Sequence, residues 1–543
     1  MRRLPIPIAL LALALTIFGA WMHWPVLDPR NAGWLIDGSD RGQSAMGLAA
    51  YLRAGHWPSF HQPLLDAPEG MTLLFTDSIP LLGLVLGPFA RALSPGLQFI
   101  GLWLLLCVLL QVGLAWLLVR PHAPDRLAAL LGTALLALMP ALINRYGHAS
   151  LCAQWLVLWA LWVFVDERRA ARPVWWAAVL ATAMLVHSYL LVMTAAIWAS
   201  AVLRLLITGR DRSRTLVGAA AVAALVIGIA AWNGVFAASY ASTGTYGAFP
   251  MALDAWWNPA NPSYSALLPS SPEDHGRGFE GLQYLGAGLL LLVIVVVVAL
   301  VRRKASVEPL RRLAWLLPAF IIMAIVAIGP QPMWGGEPLW TVHLPPRWID
   351  ALDPIRAAGR LVWPLTYTMA YAAIVTVLRL PRSTWLLGAA LALQVVDLAP
   401  MLAAVRATSA KAEDPHIFRR TTDRRWAALL AQAHEVEIEP ADPFRDLPLL
   451  EEVAWRAVIA CRPVRFFYAS RESRATRQRI DADSAAFRAG RLDPGRLYVL
   501  LDGRAPASLA RHVEHVDGVA FIAPTAPAAP AGCVSASSPR SAS

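Results

Sequence analysis

The apolar residues of this chain are gathered into blocks of roughly 16 to 22, each long enough to cross a hydrocarbon core of about 30 Å as a helix. That feature restricts the fold more than any other, because a membrane span must satisfy its backbone polar groups internally. The 543 residues are 57% hydrophobic and only 15% charged, with a mean hydropathy of +0.50, too little charge to cover a soluble domain of this size. The blocks are 6–23, 97–119, 127–142, 150–166, 174–188, 190–208, 216–236, 282–301, 313–330, 361–379 and 384–403. They predict an all-α polytopic membrane protein of about eleven spans. The first block could pass for a signal peptide, but its length, Trp21 and Trp24 at its end and the lack of a small-x-small site make it an uncleaved first span.

The formal charge of +11 would suggest nucleic acid on a soluble protein. Here the basic residues lie in short loops between blocks, so the charge reads as topology and nucleic-acid binding is not expected. Arg2-Arg3, Arg120 and Arg126, Arg168-Arg169-Arg172, Arg210-Arg212-Arg214, Arg302-Arg303-Lys304 with Arg311-Arg312, and Arg379 and Arg382 form one set. The alternate set, the long loops 24–96, 237–281 and 331–360, is poorer in Arg for its length and richer in Asp, Glu, Trp and Pro. The positive-inside rule then puts the N-terminus in the cytoplasm and the long loops and C-terminal tail outside. Residues 79–95 are apolar, but a crossing there would invert every later loop. A re-entrant or interfacial helix from Ile79-Pro80 to Ser94-Pro95-Gly96 is expected instead.

Residues 1–403 thus form a transmembrane domain, and 404–523 a small α/β domain. In the latter, helix-like stretches (424–433, 449–460) alternate with strand-like runs at 435–438, 464–468, 497–501 and 519–522, suggesting a parallel sheet. Residues 524–543, rich in Ala, Pro and Ser, read as disordered. Cys107 and Cys152 fall inside apolar blocks as packing residues. Cys461 and Cys533 lie in the tail, where an extracytoplasmic location permits a disulfide.

Polar, non-basic residues collect on the outer side. Asp37 and Asp40, in Asp37-Gly-Ser-Asp40, can serve as a general base or hold a divalent cation; the same sequence is also good turn and cap chemistry. Asp77 precedes Ser78 and the re-entrant segment, where N-capping is its simplest role. His148 and His187 fall at the outer membrane surface near the acidic loop, as interfacial anchors or as site residues. Without a repeated His-x-His or Cys-x-x-Cys spacing, no tight metal site is indicated. Arg356 and Arg360, four apart, are expected on one helix face, where they clamp a phosphate or snorkel to lipid. Trp256, Trp257, Asn258 and Glu280 can meet a sugar, though Trp at this depth is ordinary aromatic belt. Asp397 is a costly intramembrane acid that needs a partner.

These pieces, in order, resemble an uncharacterised family of bacterial membrane proteins with the architecture of GT-C glycosyltransferases. The resemblance covers most of residues 24–400. It rests on Asp40 with Gln43, Phe75-Thr76-Asp77-Ser78-Ile79-Pro80, Gly101-Leu102-Trp103, His148 with Gln154-Trp155, His187-Ser188-Tyr189, Glu280-Gly281 with Tyr284-Leu285-Gly286, and Arg356-Ala-Ala-Gly-Arg360. It implies transfer of a sugar from a polyprenyl-phosphate carrier to an envelope glycan or glycolipid acceptor, at the outer face of the cytoplasmic (inner) membrane. An acidic residue of the first outer loop is the base: Asp40 first, Asp37 second. Gln43, Asp77, His148, His187, Tyr189, Glu280, Tyr284, Arg356 and Arg360 would bind substrate. The chain lacks the adjacent acidic pair many such enzymes carry in that loop. The rival readings are a glycolipid transporter or flippase, and a non-catalytic scaffold for envelope-polymer assembly. A transporter is expected to keep mid-membrane ionisable groups and often internal repeats.

Overall fold

The computed structural model describes residues 5–209, 211–240, 242–271, 275–304, 308–526 and 533. The first basic pair, Arg210 and nearly all of the tail read as disordered lie outside these. Each apolar block is helical. The helices are α1 (Ile6–Trp21), α2 (Asp40–Ala54), α3 (Pro80–Leu86), α4 (Ile100–Val119), α5 (Arg126–Ala137), α6 (Trp155–Phe164) and α7 (Pro173–Val186). They continue with α8 (Ser188–Thr208), α9 (Arg212–Trp232), α10 (Ala287–Val301), α11 (Leu317–Ile328), α12 (Trp363–Val377) and α13 (Ser383–Thr408).

Among the described residues five helices are long and apolar enough to cross a membrane: Ile100–His122, Ser188–Thr208, Arg212–Trp232, Leu310–Ile328 and Ser383–Thr408. Arg126–Ala137 and Pro140–Gly147 make a sixth if taken as one span bent by 44°. Proline breaks the hydrogen-bond ladder there. The other blocks form shorter helices, so length and composition alone give five or six candidate spans and do not confirm eleven. Val217, Ile227, Ile322 and Ile325, each at least 60% exposed, leave an apolar outer surface that suits lipid. This is a helical membrane protein.

Aspartates start three helices at the basic end of the bundle. Asp125, Asp166 and Asp211 accept from the backbone N–H groups of Ala128, Arg169 and Arg214 at 2.8–2.9 Å, satisfying donors that a helix N-terminus leaves free. Inside the bundle Asp397 of α13 has the partners its cost demands. It accepts from the Tyr284 hydroxyl at 2.6 Å, from the Ala287 N–H at 2.9 Å and from Ser265. Gln394, one turn earlier, accepts from the Gly288 N–H and donates to the Leu285 carbonyl. These polar ties lock α10 against α13.

The segment 79–95 folds as the seven-residue α3 followed by a short 3₁₀ turn, Gly87–Phe89. At 1.5 Å per residue this is far too short to span, and it ends several residues before the expected Ser94-Pro95-Gly96.

In the tail, α14 (Arg425–Gln432), α15 (Leu447–Ile459) and α16 (Arg474–Arg488) flank a four-stranded sheet. Its strands are β1 (Glu435–Glu439), β2 (Arg496–Leu500), β3 (Val513–Val516) and β4 (Val519–Ile522), in the order β1-β2-β4-β3. Only β1 and β2 are parallel; the β3–β4 hairpin adds antiparallel. The expected parallel sheet is therefore mixed, and the run 464–468 is no strand of it. Val464 instead bridges Leu65 of the first long loop as well as Val436. Cys461 and Cys533 form a disulfide, with Cα atoms 5.9 Å apart.

A candidate active site beneath a strap from the C-terminal domain

Asp40 is the first residue of α2, so its carboxylate sits at the positive end of the helix dipole. Its Oδ2 lies 3.0 Å from His148 Nε2. His148 stands between two 3₁₀ turns, Asn144–Gly147 and Ala149–Cys152, a broken stretch that aims the ring sideways rather than along a helix. Its Nε2 is also 3.3 Å from an Arg360 guanidinium nitrogen. Arg360 can only donate and already forks onto Glu280. Nε2 donates to Asp40 when it carries the ring proton and accepts from Arg360 when it does not; the shorter contact, to the carboxylate, favours the first.

Below lies a buried triad. Glu280 receives the Arg360 fork on both oxygens and Arg145 Nη1 at 2.6 Å. Arg145 also donates to the Phe279 carbonyl and lies 4.3 Å over its ring. Burial would raise the Glu280 carboxyl, but the charges of Arg360 and Arg145 prevail and hold it well below the usual range. Two guanidiniums against one carboxylate leave a net positive charge under Asp40 and Asp77.

Asp77 does not cap α3: Ile79 holds that position without a side-chain bond. Asp77 takes a left-handed φ of 50°, sparsely populated for a side chain and common at functional sites. Its carboxylate faces His187 Nε2 at 3.5 Å. His187 caps α8, its Nδ1 accepting the Tyr189 N–H at 3.1 Å, which puts the ring proton on Nε2, toward Asp77. Burial pushes Asp77 up, but contact with His187, together with the charges of His148 and Arg360, brings it below its ordinary value. Gly47 allows this turn to approach α2; a Cβ there would meet Thr76 Oγ1 at 1.9 Å. Tyr189 joins the two halves. Its hydroxyl accepts the Ala357 N–H at 2.9 Å, and its ring lies 5.2 Å from the Arg360 guanidinium.

Several expected residues stand elsewhere. Asp37 is committed to Arg41 and to the Ser39 hydroxyl, so it braces the turn before α2. Tyr284 belongs to the Asp397 network and not to this cluster. Arg356 and Arg360 do not share a helix face, because Ala357 separates two 3₁₀ turns, Asp353–Ile355 and Ala358–Val362. The intervening Ala-Ala-Gly does give a close backbone approach: a Cβ on Gly359 would stand 2.7 Å from Gly281 Cα. Gln43, one turn after Asp40, is buried with no partner for its amide nitrogen. No group of three His, Cys, Asp or Glu side chains among the described residues could hold a metal ion.

The tail supplies what the sequence reading missed. Residues 464–474 form a strap across all three long loops, 24–96, 237–281 and 331–360. Val464 N–H donates to Leu64 O at 2.8 Å, Phe467 N–H to Asp66 Oδ1 at 2.7 Å, and Ser470 N–H to Phe75 O at 2.9 Å. Arg474 N–H reaches Ser239 O at 3.0 Å, and Arg471 donates to Asp353 O at 2.8 Å. Tyr468 is thereby set against Asp40; burial and the nearby Asp40 and Asp77 charges raise its phenol well above normal. Arg471 comes close enough to Arg356 that, after burial, the charge of Arg356 is the main influence lowering its pKa. Two like charges gathered on one rim suit an anion.

The chain belongs to the family described as a domain of unknown function (DUF6311), which matches residues 11–399, and residues 425–524 match the DUF6311 C-terminal domain. No curated protein matches the chain.

Proposed function

We propose that this member of the family is a membrane glycosyltransferase, moving a sugar from a polyprenyl-phosphate carrier to an envelope acceptor on the outer face of the cytoplasmic membrane. The observation that carries the reading is the Asp40–His148 contact, 3.0 Å long, at a helix N-terminus and over a buried cationic triad. Asp40 is about 30% exposed at its side chain, so it keeps a lone pair free for an incoming hydroxyl.

In this reading Asp40 takes the proton of the acceptor hydroxyl as that oxygen attacks the anomeric carbon and the carrier phosphate leaves. His148 and Tyr468 orient the base. Asp77, held ionised, stabilises the positive charge that develops on the sugar ring. Arg356 and Arg471, rather than Arg356 and Arg360, receive the leaving phosphate in forked hydrogen bonds. Arg360 is spent on Glu280 and acts by keeping the cationic triad in place beneath His148. The disulfide supports an extracytoplasmic tail, because disulfides persist in oxidising compartments. Together with the basic loops this favours about eleven crossings and an outward site, at the depth where a polyprenyl-phosphate head group lies.

The envelope glycans of a deletion strain test the reading. One glycan or glycolipid should lose a single sugar and its lipid-linked donor should accumulate, both restored by the wild-type gene and not by Asp40→Asn. Unchanged glycans and an unchanged donor pool would sink it.

A further inference from the structure

At the opposite end of the bundle, among the basic loops, lies a cleft of about 1080 Å³. Leu117, Trp162, Leu205 and Trp315 supply apolar wall, and Arg169, Arg204, Arg311 and Arg312 supply charge. The acids among the described residues that line the cleft are Asp166 and Glu167, and both are engaged: Asp166 with Arg169 at 3.7 Å, Glu167 with Arg312. Arg204 differs from its neighbours. It is only 6% exposed, stands 5.2 Å from the Phe164 ring, and neither terminal nitrogen has a hydrogen-bond partner. A buried guanidinium without partners costs several kcal/mol and does not stabilise the fold by itself. His122, bonded to the Tyr371 hydroxyl at 3.0 Å, adds a further polar group to the wall.

We propose that this cleft binds an anionic phospholipid of the leaflet facing the basic loops, its phosphate paired with Arg204 and its acyl chains along the apolar wall. The volume suits a lipid-sized ligand more than a small ion. Basic pockets between membrane helices on the cytoplasmic side take head groups of this kind. The phosphate provides the acceptors that Arg204 lacks, and the guanidinium fork matches its geometry. The inference is independent of the chemistry proposed for the outer face.

Native mass spectrometry of the full chain, delipidated in detergent, tests this with phosphatidylglycerol, phosphatidylcholine and inorganic phosphate as separate probes. Phosphatidylglycerol should bind about tenfold more tightly than phosphatidylcholine, and millimolar phosphate should not displace it. Arg204→Met should abolish the preference without lowering the melting temperature in lipid-free detergent. Arg204→Lys, which keeps the charge, should lose most of the gain, because an ammonium group does not fork a phosphate. Equal binding of the two lipids, or an unchanged preference in Arg204→Met, would overturn the site. Displacement by phosphate would overturn the lipid as its occupant.

Discussion

At the level of single residues, the proposed site divides groups open to a substrate from groups that hold the site together. Arg360 and Arg356 look alike in the sequence, yet one is buried in a triad and the other stands on the rim beside Arg471. Replacing Arg360 with Lys keeps a charge but loses the fork to Glu280, leaving a buried ion pair poorly matched. Stability should fall by about 3 kcal/mol, the scale for disrupting such pairs, measured as a lower denaturation midpoint. Arg356→Lys should leave that midpoint in place and raise the apparent KM for a lipid-linked donor about tenfold. The reverse pattern would remove Arg356 from the phosphate site. Much of the cluster was legible in the sequence: Asp40, Asp77, His148, His187, Tyr189, Glu280 and Arg360 do converge. Their signal was polarity at the outer ends of apolar blocks. Arg145 carried a signal too, as an arginine beside the end of an apolar block. Sequence spacing does not disclose that Arg41 already holds Asp37 or that Asp397 already holds Tyr284.

Among the elements, the strap of residues 464–474 is the part that sequence reasoning could not find. Its partners lie hundreds of residues away in three separate loops, and its β-like composition pointed to a strand of the tail's own sheet. The strap offers a pH test through Asp66, which accepts the Phe467 N–H at 2.7 Å. Burial raises the Asp66 carboxyl from an ordinary 3.8 to about 8. A carboxyl raised on folding contributes stability fully below its unfolded value, and that contribution is lost as pH rises toward 8. The slope is about 1.4 kcal/mol per pH unit at most. Asp66→Asn keeps the acceptor and removes the titration. The melting temperature of the variant relative to wild type should therefore climb between pH 5 and pH 8 and level off above. A difference that stays flat over that range would mean the buried carboxyl titrates elsewhere.

On the scale of the whole molecule, the account requires that the basic end face the cytoplasm and that the strap and the three long loops share the outer side. Reporter fusions after Ala123, Ala170, Asp211 and Lys304 should report cytoplasm, and those after Phe60, Ala260, Trp340 and Leu450 periplasm. Cys461 and Cys533 should resist alkylation in intact protein until a reductant is added. A cytoplasmic signal after Leu450, or free Cys461 in cells, would invert the arrangement and separate the tail from the site. The most direct measurement of the central claim is sugar transfer by purified protein in proteoliposomes, from a polyprenyl-phosphate donor to a lipid-linked envelope acceptor. Wild type and Asp37→Asn should both turn over. Asp40→Asn, equal in expression and melting temperature, should be slower by about 10² to 10⁴, the range for losing a general base. Turnover by Asp40→Asn equal to wild type would contradict the account.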